Sequence, residues 1–320
     1  MELFDRYWKL QVKARDNSFD IIISPDKFGN TLRVAFEINA TDNLQYYTGE
    51  IKIWNVQETK RKALVFNLLG QDFGSGPVVQ LTAGYKQKNG LIFNGAVTRG
   101  YTTREPQTGD WITTLQVGLP VTFSKKITVP QQKMTSSSDV LPFLKFVVDK
   151  TVFQDDKIPI AFAPGYAANF EAAVNDYFAS GNTLNEMMGY SGTASQILSE
   201  MSNRFNLSIF QDHNGLNVVG KKFSSNSRAG QPVTLPDATT VPELTISANT
   251  GLIGSPTYTD TGAKLISYLR PELRMFQYIK VDSAILNKNV SILSMIHRGD
   301  SMTNEWYTEV DGSNINATIK

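Results

Sequence analysis

Two histidines, 30 acidic side chains and no cysteine set the chemistry open to this sequence. Thiolate nucleophiles, disulfides, Cys-ligated zinc and iron–sulfur clusters are excluded, and His213 with His297 cannot make a three-histidine metal site within one chain. His213 stands beside Asp212, half of a relay in principle, but both fall in a hairpin turn where side chains face water. His297 ends an apolar run and precedes Arg298-Gly299-Asp300, which reads as a strand-end or interface position; the tripeptide is too short to specify a receptor. Acid pairs are the remaining enzyme signal: Asp155–Asp156, Glu105 with Asp110, and Glu305 with Glu309. Glycoside hydrolysis needs two carboxylates ~5–10 Å apart in a cleft. Spacing along the chain does not supply that distance, and loop acids are the simpler reading.

The glycine-rich stretches fail their context tests. Gly70 to Pro77 has no following Lys-Ser/Thr and leads into a strand, whereas a phosphate loop feeds a helix N-terminus. Gly251-Leu252-Ile253-Gly254-Ser255-Pro256 reads as a tight turn, its glycines permitting positive φ and Pro256 setting the exit. Ser255 has no histidine nearby in sequence, and Leu252 with Ile253 are expected to plug a core or an interface. Lys60-Arg61-Lys62, Lys125–Lys126 and Lys221–Lys222 read as solvated basic points, or as contacts for an acidic partner or a nucleic-acid channel.

Composition agrees with this lack of catalytic signal. Over 320 residues, 31 basic side chains nearly balance the acids, so the formal charge is +1 and no broad basic excess exists to neutralise phosphates. Charged residues make up only 19%, below the usual ~25%. Such a surface suits a protein covered by neighbours. The first ten residues are not expected to be a signal peptide, and no apolar run reaches the ~18 residues of a membrane-spanning helix.

The elements that must position these residues are mostly strands. Residues 8–14, 19–23, 32–38, 49–56, 78–85, 91–104 and 111–121 alternate apolar and polar, with turns at Asn89–Gly90 and Thr108–Gly109–Asp110 and a short crossover helix within Thr59–Asn67. Residues 131–138 read as a linker. Helical spacing follows over Asp139–Lys150, Asn169–Ala179 and Ala194–Phe205, the last with Thr193 and Gln196 as a capping box. Pro142 is expected in a first turn. A hairpin spans Leu207–Phe210 and Leu216–Val219. A second linker, 221–242, leads to five more strands between Leu244 and Val310. The expected class is mainly β with an α+β insertion: a first β-barrel domain (1–130), an α+β insertion domain (131–220), a linker (221–242) and a second β-barrel domain (243–320).

Several phrases resemble the baseplate hub proteins of contractile-tailed bacteriophages. They are Gly49 to Val56 (GEIKIWNV), Leu81-Thr-Ala-Gly84-Tyr85 with Leu91-Ile-Phe93-Asn-Gly95, Asp110-Trp111-Ile-Thr113, Gly251 to Pro256, and Gly299-Asp300 followed by Trp306 to Glu309. The likeness covers most of 1–120 and 243–310 and is weaker over 131–220. It implies a structural, non-enzymatic homotrimer in the virion tail baseplate, made in the host cytoplasm and similar to the hubs of large myophages, R-type pyocins and type VI secretion spikes. Two barrels per chain would then make a pseudo-sixfold ring between a hexameric tail tube protein and a threefold central spike protein, beside other baseplate proteins. DNA would pass through the channel without being read. No cofactor, metal or membrane is implied, and the spike would be a separate chain.

On this reading function lives in contact surfaces. The candidates are Val78, Gln80, Tyr85 and Phe93 in the first β unit, with Gly251, Leu252, Ile253, Gly254, Pro256, Phe276 and Tyr278 in the second. Trp54, Trp111 and Trp306 are further anchors, each equally a core residue. The alternatives are a carbohydrate-binding module, which would show an exposed aromatic strip, and a peptidoglycan-active enzyme, which would show two carboxylates with raised pKa values in a cleft.

Overall fold

The computed structural model describes residues 5–25, 32–41, 47–67, 76–118, 126–151, 160–161, 166–180, 184–212, 215–220, 244–259 and 262–314. The chain runs β1 (Arg6–Lys13), β2 (Asp20–Ile23), β3 (Val34–Thr41), β4 (Thr48–Trp54), α1 (Glu58–Leu64), β5 (Phe66–Asn67), β6 (Val78–Tyr85), β7 (Lys88–Arg104) and β8 (Trp111–Gly118). Next come β9 (Lys126–Met134), α2 (Ser137–Thr151), β10 (Ile160–Ala161), α3 (Tyr166–Ala179), β11 (Leu184–Thr193), α4 (Ala194–Arg204), β12 (Leu207–Asp212) and β13 (Gly215–Gly220). The last segment holds β14 (Leu244–Ser247), β15 (Leu252–Tyr258), β16 (Gly262–Tyr268), β17 (Tyr278–Asp282), β18 (Asn287–Asp300) and β19 (Trp306–Asn314). The fold is mainly β, as the alternation indicates.

Fourteen strands share one large sheet in the order β15-β16-β19-β18-β3-β4-β8-β7-β6-β1-β2, with β5 on β7, and β17 pairing both β14 and β18. All its ladders are antiparallel except β14 on β17. Period-two patterning shows directly: β3 alternates buried and half-buried residues along its whole length. One face therefore feeds the core through Val34, Phe36, Ile38, Ile51, Ile53, Leu115 and Val310. The β3–β18 ladder, Ala35 opposite Asp300 through Thr41 opposite Ser294, joins strands of the first and last segments in this sheet.

One of the two expected turns differs from its sequence reading. Asn89–Gly90 lies inside β7, and the β6–β7 hairpin turns at Lys86–Gln87, with Tyr85 opposite Lys88. The Asn89 amide donates to the carbonyls of Tyr85 (3.2 Å) and Lys86 (3.1 Å), so this residue caps the turn from the strand. Thr108–Asp110 does turn, Gly109 taking φ 77°.

The segment from β9 to β13 forms its own sheets, β10-β13-β12 and β9-β11, with three helices. Residues 131–134, expected in a linker, belong to β9. Phe143, Leu144, Val147 and Val148 of α2 are buried with Ile197, Leu198 and Met201 of α4. In α4 the capping box is made: the Thr193 hydroxyl accepts from the Gln196 N–H (3.2 Å), and the Thr193 N–H donates to the Gln196 side chain (2.9 Å). Helix α2 starts earlier than expected, at Ser137, which puts Pro142 inside it and leaves the Ser138 carbonyl without its usual intrahelical donor. The Asp139 carboxylate accepts the backbone N–H groups of Thr135 (2.8 Å) and Ser136 (3.2 Å) and the two hydroxyls there, which holds its pKa below the ordinary value despite some desolvation. His213, Asp155–Asp156, Lys125, Lys221–Lys222 and the 221–242 linker lie outside the described residues, as does most of Gly70–Pro77.

Candidate assembly interface

The first and last segments meet at a built junction. Phe36 of β3 and Trp306 of β19 pack edge to face, centroids 5.4 Å apart, across Gly299 of β18, which is opposite both in register. A Cβ at Gly299 would run into the Phe36 ring. Trp306 donates its indole N–H to the Gly84 carbonyl (2.9 Å), the Arg6 guanidinium lies 5.5 Å above its ring, and Tyr85 packs edge to face on Tyr268 at 6.2 Å. Arg33 closes the junction with a fork on Asp300: Nη2 at 2.6 Å and Nε at 3.2 Å from the carboxylate. Burial pushes the Asp300 carboxyl up, but the Arg33 hydrogen bond and the Met302 N–H outweigh it, so its pKa is lowered; Arg33 is correspondingly raised. Asp300 is thus spent inside the fold. Arg298-Gly299-Asp300 is no accessible tripeptide.

His297 is not at a strand end. It lies within β18, 3% exposed, with Nδ1 2.9 Å from the Thr308 hydroxyl across the ladder. Strand pairing reaches three residues further than the apolar run, so the histidine faces the core. Of the acid pairs, Glu105 accepts from the Thr108 hydroxyl (2.7 Å) and Asp110 from the Asn55 amide (2.9 Å), both within turns. Glu309 lies 3.4 Å from Arg298 on the outer face. Each described carboxylate with a shifted pKa is shifted down (Asp16, Glu58, Asp139 and Asp300). Among the described residues no group of three or more His, Asp or Glu is placed to hold a metal, and no helix is long and apolar enough to cross a membrane.

The contact candidates separate by burial. Phe93 is fully buried and stacked on Tyr47 at 5.0 Å, Tyr85 belongs to the junction, and Trp306 is 3% exposed, so all three are core residues. Phe276 is buried too, against Phe210 of β12 at 5.0 Å. It docks the α+β insertion onto the main sheet, and its φ of 60° is strained for a bulky residue. Tyr278 is half-buried, and that burial raises its phenol pKa. Val78 and Gln80 are on the outer face of β6, a strand paired on both sides by β1 and β7, so they offer side chains and no free backbone. Their neighbours Lys9, Gln11 and Asn94 make that face polar.

Gly251 to Pro256 is mostly strand, not turn. Gly251 caps a short 3₁₀ turn at φ 108°, and β15 then pairs with β16 alone, at the end of the sheet order. Between Ile253 opposite Ile266 and Thr257 opposite Lys264, β15 carries two extra residues, accommodated by Gly254 at φ 68°. Pro256 is buried, while Ile253 and Ile266, paired directly, are each 39% exposed. Further along β15, Tyr258 stands opposite Ala263 and is exposed, as is Ile285, whose carbonyl accepts from the Tyr258 hydroxyl (2.7 Å). These four are among the seven large exposed hydrophobics of the described residues. The other three, Val65, Trp111 and Met302, are at strand ends near α1 and Arg33. Sequence reasoning named Ile253 but missed Ile266, because only strand pairing brings the two together.

No family model and no curated sequence matches this chain. Solved structures do. The tail protein from Neisseria meningitidis MC58 superposes with a TM-score of 0.53 at 11% identity, over 96% of this chain and 96% of that one. The 43 kDa tail protein of prophage MuSo2 from Shewanella oneidensis gives 0.54 at 8% identity, over 97% of this chain and 98% of that one. The fold is shared with tail proteins. At such identities side chains have been almost wholly replaced, so what persists is the path of the chain, insertion included.

Proposed function

We propose that this chain is a structural subunit of a phage tail baseplate, acting as the trimeric hub that joins the hexameric tail tube to the threefold spike around the DNA channel. The observation that carries this reading is a fold shared with two tail proteins over nearly the whole of both chains. The phrases that resemble hub proteins support it, because they fall at structural joints. Gly299-Asp300 and Trp306 form the junction between segments, and Gly251 to Pro256 opens the apolar sheet edge. Two β units per chain (1–130 and 243–320), around an insertion (131–220) and linker (221–242), give the six similar units that a sixfold tube requires. The β15–β16 edge, with Ile253 and Ile266, is the first surface we assign to a subunit or tube contact. The role is one of assembly and not of catalysis.

The sugar-binding alternative is disfavoured by placement. Trp111 on β8 and Tyr258 on β15, the exposed aromatics among the described residues, are six strand steps apart, roughly 29 Å along the sheet, so these two make no strip. A direct test is antibody labelling of intact particles that carry the chain. Label at the distal end of the tail tube is expected; label on fibres or capsid, or none on particles, contradicts the proposal.

A further inference from the structure

Trp111 is presented by a dedicated clamp. Asn55 takes a left-handed φ of 54°, its N–H donates to the Trp111 carbonyl (2.7 Å), its side-chain oxygen accepts the Trp111 N–H (3.1 Å), and its amide donates to Asp110 (2.9 Å). Left-handed Asn is the usual way to make so tight a reversal. The ring so held is 40% exposed, and two guanidinium groups lie over it, Arg61 at 4.3 Å and Arg104 at 5.9 Å. Among the described residues Arg61 forms no side-chain hydrogen bond or ion pair, and Arg104 donates only to the Gly109 carbonyl (3.3 Å). Three other arginines on ladders and helices pair with carboxylates, Arg33 with Asp300, Arg204 with Glu200 and Arg298 with Glu37 and Glu309, while Arg99 lies over Tyr101 at 5.0 Å. Of the carboxylates near in sequence, Glu105 and Asp110 are bound to neutral side chains and Glu58 pairs with Lys62 at 2.7 Å.

We infer that the Arg61–Trp111–Arg104 cluster is a docking point for an acidic segment of a protein partner. A guanidinium stacked on an indole keeps its N–H edge free in a fixed plane, which suits two-pronged recognition of a carboxylate. Arg61 and Arg104 already lie over the indole and compete with any sugar ring that would stack there. A nucleic acid suits the site less well, because Glu58, Glu105 and Asp110 are close by and would repel a continuous line of phosphates. Discrete carboxylates on a peptide can be placed between them.

The test is fluorescence anisotropy with the full chain and three labelled probes: a (Glu-Glu-Leu)4 peptide, its Glu→Gln counterpart and a 12-base-pair DNA duplex. Saturable binding of the acidic peptide is expected, weakened by salt, absent for the Gln peptide, and reduced tenfold or more by Arg61→Gln with Arg104→Gln. Arg61→Lys with Arg104→Lys keeps the charge but loses the planar fork, and is expected to bind several-fold more weakly than the parent, which guards against a misfolded Gln variant. Equal binding of the Gln peptide, indifference to both double variants, tighter binding of DNA, or no binding up to ~1 mM overturns the assignment. None of these outcomes bears on the tail reading, which rests on the fold.

Discussion

Asp300 keeps its charge where water scarcely reaches it, 4% exposed, because Arg33 forks onto it and the Met302 N–H donates to it. Replacing it by Asn should cost about 2 kcal/mol, since Arg33 is left without its anion but remains partly hydrated. The pH dependence has a definite sign. The native pKa lies below the ordinary 3.8, so this contribution is complete above about pH 4 and lost as pH falls through the lowered native value. Urea melts of the parent and Asp300→Asn should therefore differ fully at pH 6 and draw together as pH falls below 4; a gap that does not narrow in acid contradicts the ion pair. Gly299 is the second decisive residue. Gly299→Ala sets a methyl against the Phe36 ring and should destabilise by ~1–3 kcal/mol, read as a lower urea midpoint with an unchanged slope. Sequence patterning flagged Gly299, Asp300 and Trp306 but not their purpose, because Arg33 and Phe36 lie more than 250 positions away. His297 was misplaced for a related reason: its partner Thr308 is on a strand that the alternation locates, but the pairing of that strand with β18 has no local signature.

At the level of elements, local signals were legible and pairing was not. The α4 capping box could be read from Thr193 and Gln196, and Thr193→Ala should cost about 1 kcal/mol of stability, checked by thermal or urea melting. The β6–β7 turn misled, because Asn89 does its hydrogen bonding from within a strand. Residues 131–134 misled as well; a polar run looks like a linker unless its partner β11 is known. The insertion is docked through Phe210 and Phe276, so Phe210→Ala should speed amide exchange in β12 and β13 more than in the β3–β18 ladder. A uniform change across both regions would contradict that role. On the β15–β16 edge, Ile253→Lys with Ile266→Lys should leave monomer stability within about 0.5 kcal/mol, since both side chains are partly exposed, and on the proposed reading should weaken whichever subunit or tube contact the edge makes, read by light scattering with and without tube protein.

For the whole molecule, the sheet unites what the sequence shows as separate strand-rich segments. The β class and the helices of the insertion follow from periodicity. The β3–β18 ladder does not, because it joins residues with no local signature of each other. The sheet carries an apolar edge at one end of its strand order and a cationic aromatic cluster at its strand ends. The tail-hub account makes its sharpest demand on mass. Light scattering of the purified chain should give three copies, roughly three times 35.6 kDa, seen by electron microscopy as a ring with an axial hole, or the same three copies within the complex once tail tube and spike proteins are added. A chain that stays monomeric alone and in the presence of those partners contradicts it.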